Sequence, residues 1–269
     1  MSTRQGSAKS PDGHTSSALP PKSFPAVILA AGKGTRMKTA EPKAAIHVNG
    51  RPMAARVIEA VRRAGACRVI AVVGHRADDV QIAIGDGVEY VTQERQLGTG
   101  HAVGCATAAL NGFVGPVVVA YADIPLLRQC DVTRLIARHL ETGAAATLLT
   151  AHFDQPGTLG RIIRGPHGGV EGIVEARDAT EEQLQIREIN VGVYCFAAPL
   201  FFDVLAQVDN KNAQQQYYLT DVIAILVGRG ERVEAVAMEF SHAGLGVDTI
   251  EDLARAETIS TVHDGSHVQ

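Results

Sequence analysis

One short stretch of the chain combines positive charge with bare backbone. Residues 29 to 43 read LAAGKGTRMKTAEPK, in which four cations stand against the single carboxylate of Glu41. Gly32 and Gly34 allow backbone N–H groups to approach an anion closely, and successive N–H groups form an anion-binding nest. The stretch predicts a phosphate-binding loop, and a solvated surface loop with incidental charges is the alternative. The four cations are Lys33, Arg36, Lys38 and Lys43.

Two common phosphate-binding motifs do not fit this stretch. A dinucleotide fingerprint needs a third glycine where Met37 stands, and an acidic residue after the second strand, where Gly74 and His75 stand. A P-loop needs wider glycine spacing and a lysine followed by serine or threonine. The predicted site therefore belongs to neither class.

The surrounding pattern indicates which elements would position this loop. Apolar runs of strand length alternate with helical patterns, which is typical of an α/β fold with a sheet buried on both faces. Ligands of such sheets bind at the carboxyl ends of the strands, and the glycine-rich loop directly follows the first strand. The runs are FPAVILAA, RVIAVVGH, VEYVTQ, PVVVAYAD, AATLLTAH, GIVEA, INVGVYCF and RVEAVAMEF.

Local signals add detail to this prediction. Pro52 and Gly65 bracket a helical pattern, and Asp131 is the predicted N-cap of a helix that ends in glycine. The glycine-rich region from 151 to 190 predicts short antiparallel strands that form a small sub-lobe over the sheet.

Composition limits the class of protein. The chain has 269 residues, 46% of them hydrophobic and 20% charged, with a net charge of −4. This balance argues against a general nucleic-acid or membrane-surface binder, and no run reaches the length of about 18 apolar residues that a membrane span requires. We predict one domain over residues 24–258, a disordered N-terminal extension over 1–23 and a flexible tail over 259–269.

The cysteines indicate the redox environment. The sequence has four cysteines, without a C-x-x-C pair or a histidine at metal-ligand spacing. We therefore expect reduced thiols in a cytoplasmic protein. The residues are Cys67, Cys105, Cys130 and Cys195.

The motif L-A-A-G-x-G-T-R-M followed by P-K resembles the signature of sugar-phosphate nucleotidyltransferases. Further matches follow in the order found in N-acetylglucosamine-1-phosphate uridylyltransferases, and together they cover about residues 25 to 257. They are QERQLGTGHA, YADIPLL, GRIIR, GIVEARDAT, EINVGVYCF, NAQQQYYLTD and GLGVD. The resemblance implies a Rossmann-like three-layer sandwich with a mixed, mostly parallel central sheet and a small β-rich sub-lobe.

The resemblance also implies a reaction. The uridylyl group of UTP would pass to N-acetylglucosamine 1-phosphate with the aid of Mg²⁺, giving UDP-N-acetylglucosamine and pyrophosphate. Many members continue into an acetyltransferase domain, which the matched region does not include. The uridylyl step alone is therefore implied, with a separate acetyltransferase as a candidate partner and with no nucleic acid or membrane as a partner.

By resemblance, the site residues fall into four groups. The catalytic cations are Arg36 and Lys43, with Lys33 as a candidate assistant. The nucleotide-binding residues are Leu29, Ala30, Ala31, Gly32, Lys43, Gln93, Gly98 and Thr99. The sugar-binding residues are Tyr121, Gly160, Glu175, Asn190 and Asp248. The metal ligands are Asp123 and Asp248.

Residue chemistry is compatible with these roles. Asp123 ends an apolar strand pattern, and a carboxylate buried there is costly unless it is paired or bound to metal. Mg²⁺ prefers one or two carboxylates together with substrate phosphates. The alternatives are an N-cap role for Asp123, a strand-end polar role for Gln93 and an ordinary surface position for Glu175.

Several positions depart from the family pattern. Asp248 stands where asparagine is usual and where related glucose-1-phosphate nucleotidyltransferases have aspartate. Ala122, Leu159 and Gln216 replace the usual glycine, tyrosine and glutamate. The alternative function is a pyrophosphorylase for another sugar 1-phosphate, such as glucose, with UTP or dTTP. A catalytically inactive regulatory subunit is the third hypothesis.

Overall fold

Strands and helices alternate along the chain in the computed structural model, which describes residues 23–37, 39, 41–238 and 246–265. The predicted N-terminal extension, apart from Ser23, and Lys38 lie outside the described residues. The strands are β1 (Phe24–Ala30), β2 (His47–Val48), β3 (Arg51–Pro52), β4 (Ala66–Val73), β5 (Glu89–Thr92), β6 (Gly115–Tyr121), β7 (Ala146–His152), β8 (Arg161–Arg164), β9 (Val170–Val174), β10 (Glu188–Ala198) and β11 (Val233–Ala237). The helices are α1 (Met53–Arg63), α2 (Ala77–Ile84), α3 (Thr99–Ala106), α4 (Gln129–Thr142), α5 (Glu181–Leu184), α6 (Leu200–Leu205), α7 (Asp221–Gly228) and α8 (Ile250–Gly265).

A mixed sheet of nine strands forms the centre of the fold. Seven strands follow the order β11-β7-β10-β6-β1-β4-β5, and the hairpin β8-β9 joins through β10. Strand β10 is antiparallel to both of its neighbours, β6 and β7, whereas β6, β1, β4 and β5 are mutually parallel and β7 is parallel to β11. The predicted mixed, mostly parallel sheet is therefore confirmed.

The two faces of the sheet bury separate hydrophobic clusters. Alternate side chains of β1 point to opposite faces, as strand geometry requires. Ala26 and Ile28 pack with residues of α1 and α4, whereas Val27 packs with residues of α3 and α7. Helices on both faces complete the expected three-layer sandwich. Among the described helices, none has the length and apolar character needed to cross a membrane.

Local predictions are confirmed for α1 but corrected for α4. Helix α1 starts directly after Pro52 and ends before Gly65, which has a φ of +111°. Asp131 is not the N-cap of α4, because the helix begins at Gln129 with Arg128 as its cap. The Asp131 carboxylate instead accepts a hydrogen bond from the Arg128 backbone N–H at 3.2 Å. An acidic residue at the third position of a helix can accept a hydrogen bond from the backbone N–H of the N-cap residue, which stabilises the first turn.

The sub-lobe and the end of the domain also differ in detail from the sequence pattern. The hairpin β8-β9 supplies the antiparallel strands predicted between residues 151 and 190, but β8 pairs with β10, so the hairpin joins the central sheet and does not form a separate sub-lobe over it. Helix α8 continues through Gly265, so the predicted boundary at residue 258 falls inside a helix. Ala256 and Ser260 are buried, and burial of this face explains why the helix extends into a polar segment. Residues 266–269 lie outside the described part.

Candidate active site

The glycine-rich loop leaves the carboxyl end of β1 and turns back toward Lys43. The backbone N–H of Met37 donates to the Gly34 carbonyl at 3.0 Å, and the Met37 side chain is buried. Gly34 has a φ of +62°, and a Cβ atom there would lie 2.6 Å from the Cβ of Lys43. Only glycine allows the loop to approach Lys43 this closely. This close approach places Lys43 beside the loop that carries Arg36, at the carboxyl end of β1.

Two cations and two carboxylates meet at this edge of the sheet. The Lys43 ammonium lies 2.5 Å from Asp123 Oδ2 and also contacts the Asp248 carboxylate. The guanidinium of Arg36 lies 3.0 Å from Asp248 Oδ1 and donates to Thr158 Oγ1 at 3.0 Å. Asp123 follows β6, and its backbone carbonyl accepts from Val247 N at 2.9 Å, which brings Asp248 to the same place. We refer to Arg36, Lys43, Asp123 and Asp248 as the charged centre.

Electrostatics explains the state of Lys43. Burial alone lowers the pKa of its ammonium, but Asp123 and Asp248 more than compensate, so the pKa is raised. The side chain is 12% exposed and stays positively charged at neutral pH. Its charge holds together two carboxylates that would otherwise repel each other.

The same two carboxylates are suited to a divalent cation. Both direct an oxygen atom at one cationic atom, the Lys43 nitrogen. Within the described ranges, no group of three or more histidine, cysteine, aspartate or glutamate side chains is arranged to hold a metal ion. A site with two carboxylates leaves most coordination positions to water and substrate phosphates, as Mg²⁺ prefers.

Next to the charged centre lies a cavity of about 450 Å³. It brings together most of the residues predicted to bind the nucleotide, from β1, from the loop after β5 and from α3. Ala30 is buried in β1 and instead lines a smaller neighbouring cavity beside Lys43. The larger cavity is lined by Leu29, Ala31, Gly32, Lys33, Gly34, Gln93, Gln96, Gly98, Thr99, Ala102, Tyr121, Asp123 and Gln216.

The far wall of this cavity is built by two chain segments that hold each other in place. The Tyr217 backbone N–H donates to the Leu97 carbonyl at 2.8 Å, and the Gly100 N–H donates to the Tyr217 carbonyl at 2.8 Å. Thr99 Oγ1 accepts from Leu219 N at 2.9 Å. Gly98 has a φ of +115°, and a Cβ atom there would collide with the backbone of Tyr217. The segment from 217 to 219 therefore fixes the shape of the loop from 97 to 100.

Four of the five predicted sugar-binding residues, all except Asp248, lie on or directly beside β6, β8, β9 and β10. Asn190 donates through its backbone N–H to the Gly160 carbonyl at 2.9 Å and through Nδ2 to Tyr194 Oη at 2.6 Å. The rings of Tyr121 and Tyr194 lie 6.1 Å apart. Burial, and secondly the charge of Glu175, raises the pKa of Tyr121. These contacts bring Gly160, Asn190 and Tyr121 into one neighbourhood.

Glu175 is not an ordinary surface carboxylate. It accepts a hydrogen bond from Thr220 Oγ1 at 3.0 Å, and burial raises its pKa. Asp248, which the resemblance also assigns to the sugar, contacts the cations of the charged centre. Asp248 is thus part of the charged centre.

Four residues at or beside the site were not singled out by the sequence as ligand contacts. Gln96 and Gln216 line the cavity, Thr158 holds Arg36, and His101 contacts the amide of Gln93. Gln96 and His101 belong to the matched motif QERQLGTGHA, so the motif itself was the available signal. Thr158 had no signal, because its role depends on contact with a residue 122 positions away.

Comparison with known proteins identifies the family of this chain. Residues 26–224 match the MobA-like NTP transferase domain. The bifunctional protein GlmU of Syntrophotalea carbinolica is 46% identical over 235 residues, which cover 87% of this chain and 50% of that protein. The bifunctional protein GlmU of Exiguobacterium sibiricum is 44% identical over 242 residues, 90% of this chain and 54% of that protein. The chain thus spans about half the length of the curated relatives it matches.

A solved structure supports the fold assignment. A UDP-glucose pyrophosphorylase in complex with UDP-glucose has a TM-score of 0.69 and 18% identity, covering 89% of this chain and 99% of that chain. At this identity, the likeness concerns the fold alone, and the domain match carries the family assignment. The chain belongs to the MobA-like NTP transferase domain family, and it is a nucleotidyltransferase.

Proposed function

We propose that this protein transfers the uridylyl group of UTP to N-acetylglucosamine 1-phosphate, giving UDP-N-acetylglucosamine and pyrophosphate. The observation that carries the proposal is the charged centre, in which Lys43 joins Asp123 and Asp248 beside the cavity under the glycine-rich loop. The ordered motif matches to uridylyltransferases and the identity of about 45% to the GlmU proteins support the choice of substrates.

The reaction requires two multiply charged anions to approach each other. An oxygen of the sugar phosphate forms a bond to the α-phosphorus of UTP, while the bond from that phosphorus to the departing pyrophosphate breaks. No protein nucleophile is needed, so the chain contributes position and charge. In our proposal Arg36 binds phosphate oxygens with a bidentate fork, and Lys43 contributes a point charge. Lys33, exposed at the rim of the cavity, adds a further cation.

We propose Mg²⁺ as the metal of this site, with Asp123 and Asp248 as its protein ligands. The metal supplies positive charge to the phosphate oxygens when it is bound. The fit rests on the two carboxylates that converge on the ammonium of Lys43. Lys43 keeps these oxygens close together, which suits them to receive a divalent cation.

We propose that recognition of the two organic groups uses different walls of the site. Gln93, Gly98 and Thr99 offer an amide and backbone groups to the base. Tyr121, Gly160, Glu175 and Asn190 offer mixed donors and acceptors, which a hydroxyl-rich sugar requires. The backbone of Leu29, Ala30, Ala31 and Gly32 completes the nucleotide side.

A second candidate function has one specific observation in its favour. Asp248, in place of the usual asparagine, matches relatives that use glucose 1-phosphate with UTP or dTTP. An inactive subunit is disfavoured, because Arg36, Lys43 and Asp123 are all present in the charged centre. A separate acetyltransferase is the candidate partner that the resemblance implies. We assign the reaction to the cytoplasm, in keeping with four free cysteines.

Substrate choice can be tested directly. The purified protein is given UTP or dTTP, Mg²⁺ and a panel of sugar 1-phosphates that includes N-acetylglucosamine, glucose and galactosamine derivatives. Pyrophosphate release is measured, and each product is identified by mass. We expect UTP with N-acetylglucosamine 1-phosphate to give the highest kcat/KM. A higher value with glucose 1-phosphate would establish the second candidate, and no turnover with any pair would refute both.

A further inference from the structure

The side-chain amide of Gln93 is held from one end. Gln93 is 2% exposed, and its backbone N–H donates to the Val73 carbonyl at 2.7 Å. Its side-chain Nε2 lies 3.1 Å from the Gly98 carbonyl and 2.9 Å from Nδ1 of His101. The residue lines the cavity proposed for the nucleotide. The orientation of this amide decides which hydrogen-bonding group the cavity presents.

Simple chemistry determines that orientation. The Gly98 carbonyl can only accept a hydrogen bond, so the amide atom beside it must be the NH₂ nitrogen and not the oxygen. The second N–H of the same nitrogen then points at His101 Nδ1, which therefore acts as the acceptor. Both side-chain N–H groups of Gln93 thus have hydrogen-bond acceptors. Among the described residues no donor to Gln93 Oε1 is found, so the amide keeps a free acceptor and no free donor.

His101 itself faces away from the nucleotide cavity. It belongs to α3, whose residues Thr99 and Ala102 line the nucleotide cavity. His101 instead lines a separate cavity of about 550 Å³ with Gly104 and Cys105, and its ring lies 6.4 Å from that of Tyr217. The imidazole therefore acts on the nucleotide side through the amide of Gln93.

We propose that His101 is a positioning residue that, together with the Gly98 carbonyl, holds the Gln93 amide with its oxygen free and so contributes to the nucleobase specificity of the site. This inference rests on the proposed function, in which the cavity holds the base of the nucleotide. A free acceptor pairs with bases that carry an N–H at N3, which uracil and thymine do. Cytosine carries a lone pair at N3, and two acceptors facing each other repel. The site therefore accepts UTP and dTTP and rejects CTP.

Two substitutions at His101 separate positioning from general structure. His101→Leu removes the acceptor and keeps a side chain of similar bulk, so the second side-chain N–H of Gln93 loses its partner and the Gly98 carbonyl alone holds the amide. His101→Asn is the matched control, because its Oδ1 stands near the position of Nδ1 and still accepts a hydrogen bond. The measurement is kcat/KM for UTP and for CTP with the same sugar 1-phosphate, together with the Tm of each variant.

We expect His101→Leu to lower the ratio of kcat/KM for UTP to that for CTP by about fivefold, with the value for CTP itself rising, since one of the two hydrogen bonds that orient the amide is lost. His101→Asn should retain most of the discrimination. Structural damage alone would lower kcat/KM for both nucleotides together and would not raise kcat/KM for CTP. If His101→Leu does not fold, His101→Met gives the same readout.

The outcomes separate this inference from the proposed function. An unchanged UTP to CTP ratio in the leucine or methionine variant, with the parent active on UTP, would overturn the role of His101 and leave the proposed function standing. A parent protein inactive with UTP under every condition would refute the proposed function instead. Equal turnover of UTP and CTP by the parent protein would also overturn the inference.

Discussion

The ammonium of Lys43 lies 2.5 Å from the carboxylate of Asp123, although 80 positions separate the two residues in the chain. The same ammonium contacts Asp248, which is 205 positions away. Strand β6 delivers Asp123, the loop after β1 leads to Lys43, and the segment before α8 delivers Asp248. One lysine therefore connects three parts of the chain at the edge of the sheet where the phosphates are proposed to bind.

Replacing Lys43 tests this connection. In Lys43→Met, Asp123 and Asp248 face each other without a cation. We expect this change to cost roughly 1–3 kcal/mol of stability, since the two carboxylates are only partly buried. The Tm without metal should fall by several degrees, and Mg²⁺ should raise the Tm of the variant more than that of the parent. Thermal unfolding with and without Mg²⁺ measures both effects. An unchanged Tm with an unchanged response to Mg²⁺ would mean that Lys43 does not hold the two carboxylates together.

Arg36 should matter for turnover and not for folding. Its side chain is 53% exposed, so Arg36→Ala leaves no cavity in the core. We expect kcat to fall by about 100-fold or more through loss of a cation for the transition state, with the Tm nearly unchanged. Arg68→Ala is the matched control, because Arg68 also forms an exposed ion pair, with Glu89, near the amino end of β4. Equal kcat values for the two variants would remove Arg36 from the proposed mechanism.

Asp123 and Asp248 should differ in how strongly their replacement by asparagine affects activity. Asp248→Asn introduces the residue usual in the family and retains one oxygen ligand, so turnover should survive with a weaker dependence on Mg²⁺. Asp123→Asn removes the carboxylate at the end of β6, and activity should drop far more. Initial rates against Mg²⁺ concentration distinguish the two. If both variants are equally inactive, Asp248 is an essential ligand and the site is closer to the glucose 1-phosphate relatives; if neither is affected, the metal assignment is wrong.

Gly98 should tolerate no side chain. Its φ of +115° and the nearby backbone of Tyr217 leave no room for a Cβ atom. We expect Gly98→Ala to raise the KM for UTP and to destabilise the fold by about 2–4 kcal/mol. Gly112→Ala is the control, because Gly112 has a φ of +75° with nothing within 4 Å. Similar losses in both variants would show that backbone strain, and not contact with Tyr217, explains the effect.

Buried His139 should make the fold sensitive to acid. Burial lowers its pKa from 6.5 to about 4, and Nδ1 lies 3.1 Å from Thr147 Oγ1. The unfolded chain binds this proton more readily, so stability from His139 is complete above pH 6.5 and is lost as the pH falls toward 4. Between pH 7 and pH 5 the loss should be about 1–2 kcal/mol.

His139→Asn cannot titrate in this range, so its free energy of unfolding should change less between the two pH values than that of the parent. Chemical denaturation at pH 7 and pH 5 provides the comparison within each protein. Equal pH dependence in both would assign the acid sensitivity to other groups.

The positions of several strands and helices, and of the loop after β1, follow from the local sequence. Strand and helix positions depend on the spacing of apolar residues, with a period of 2 or 3.6, and this is why β1, β6 and α1 were predicted correctly. The loop after β1 was predictable for a similar reason, because Gly32, Gly34 and the nearby cations are contiguous in sequence. Local chemistry alone did not decide the start of α4, because a carboxylate such as Asp131 caps a helix equally well from the N-cap or from the third position.

The remaining features were decided by the tertiary structure. Thr158 binds Arg36 across 122 positions, and Leu219 donates to Thr99 across 120 positions. Such pairs leave no local pattern, because they depend on how separate segments pack over the sheet. The orientation of the Gln93 amide is of the same kind. Sequence determines that an amide and an imidazole are present, but only the contacts of the amide with the Gly98 carbonyl and with His101 decide which atom of the amide faces the cavity.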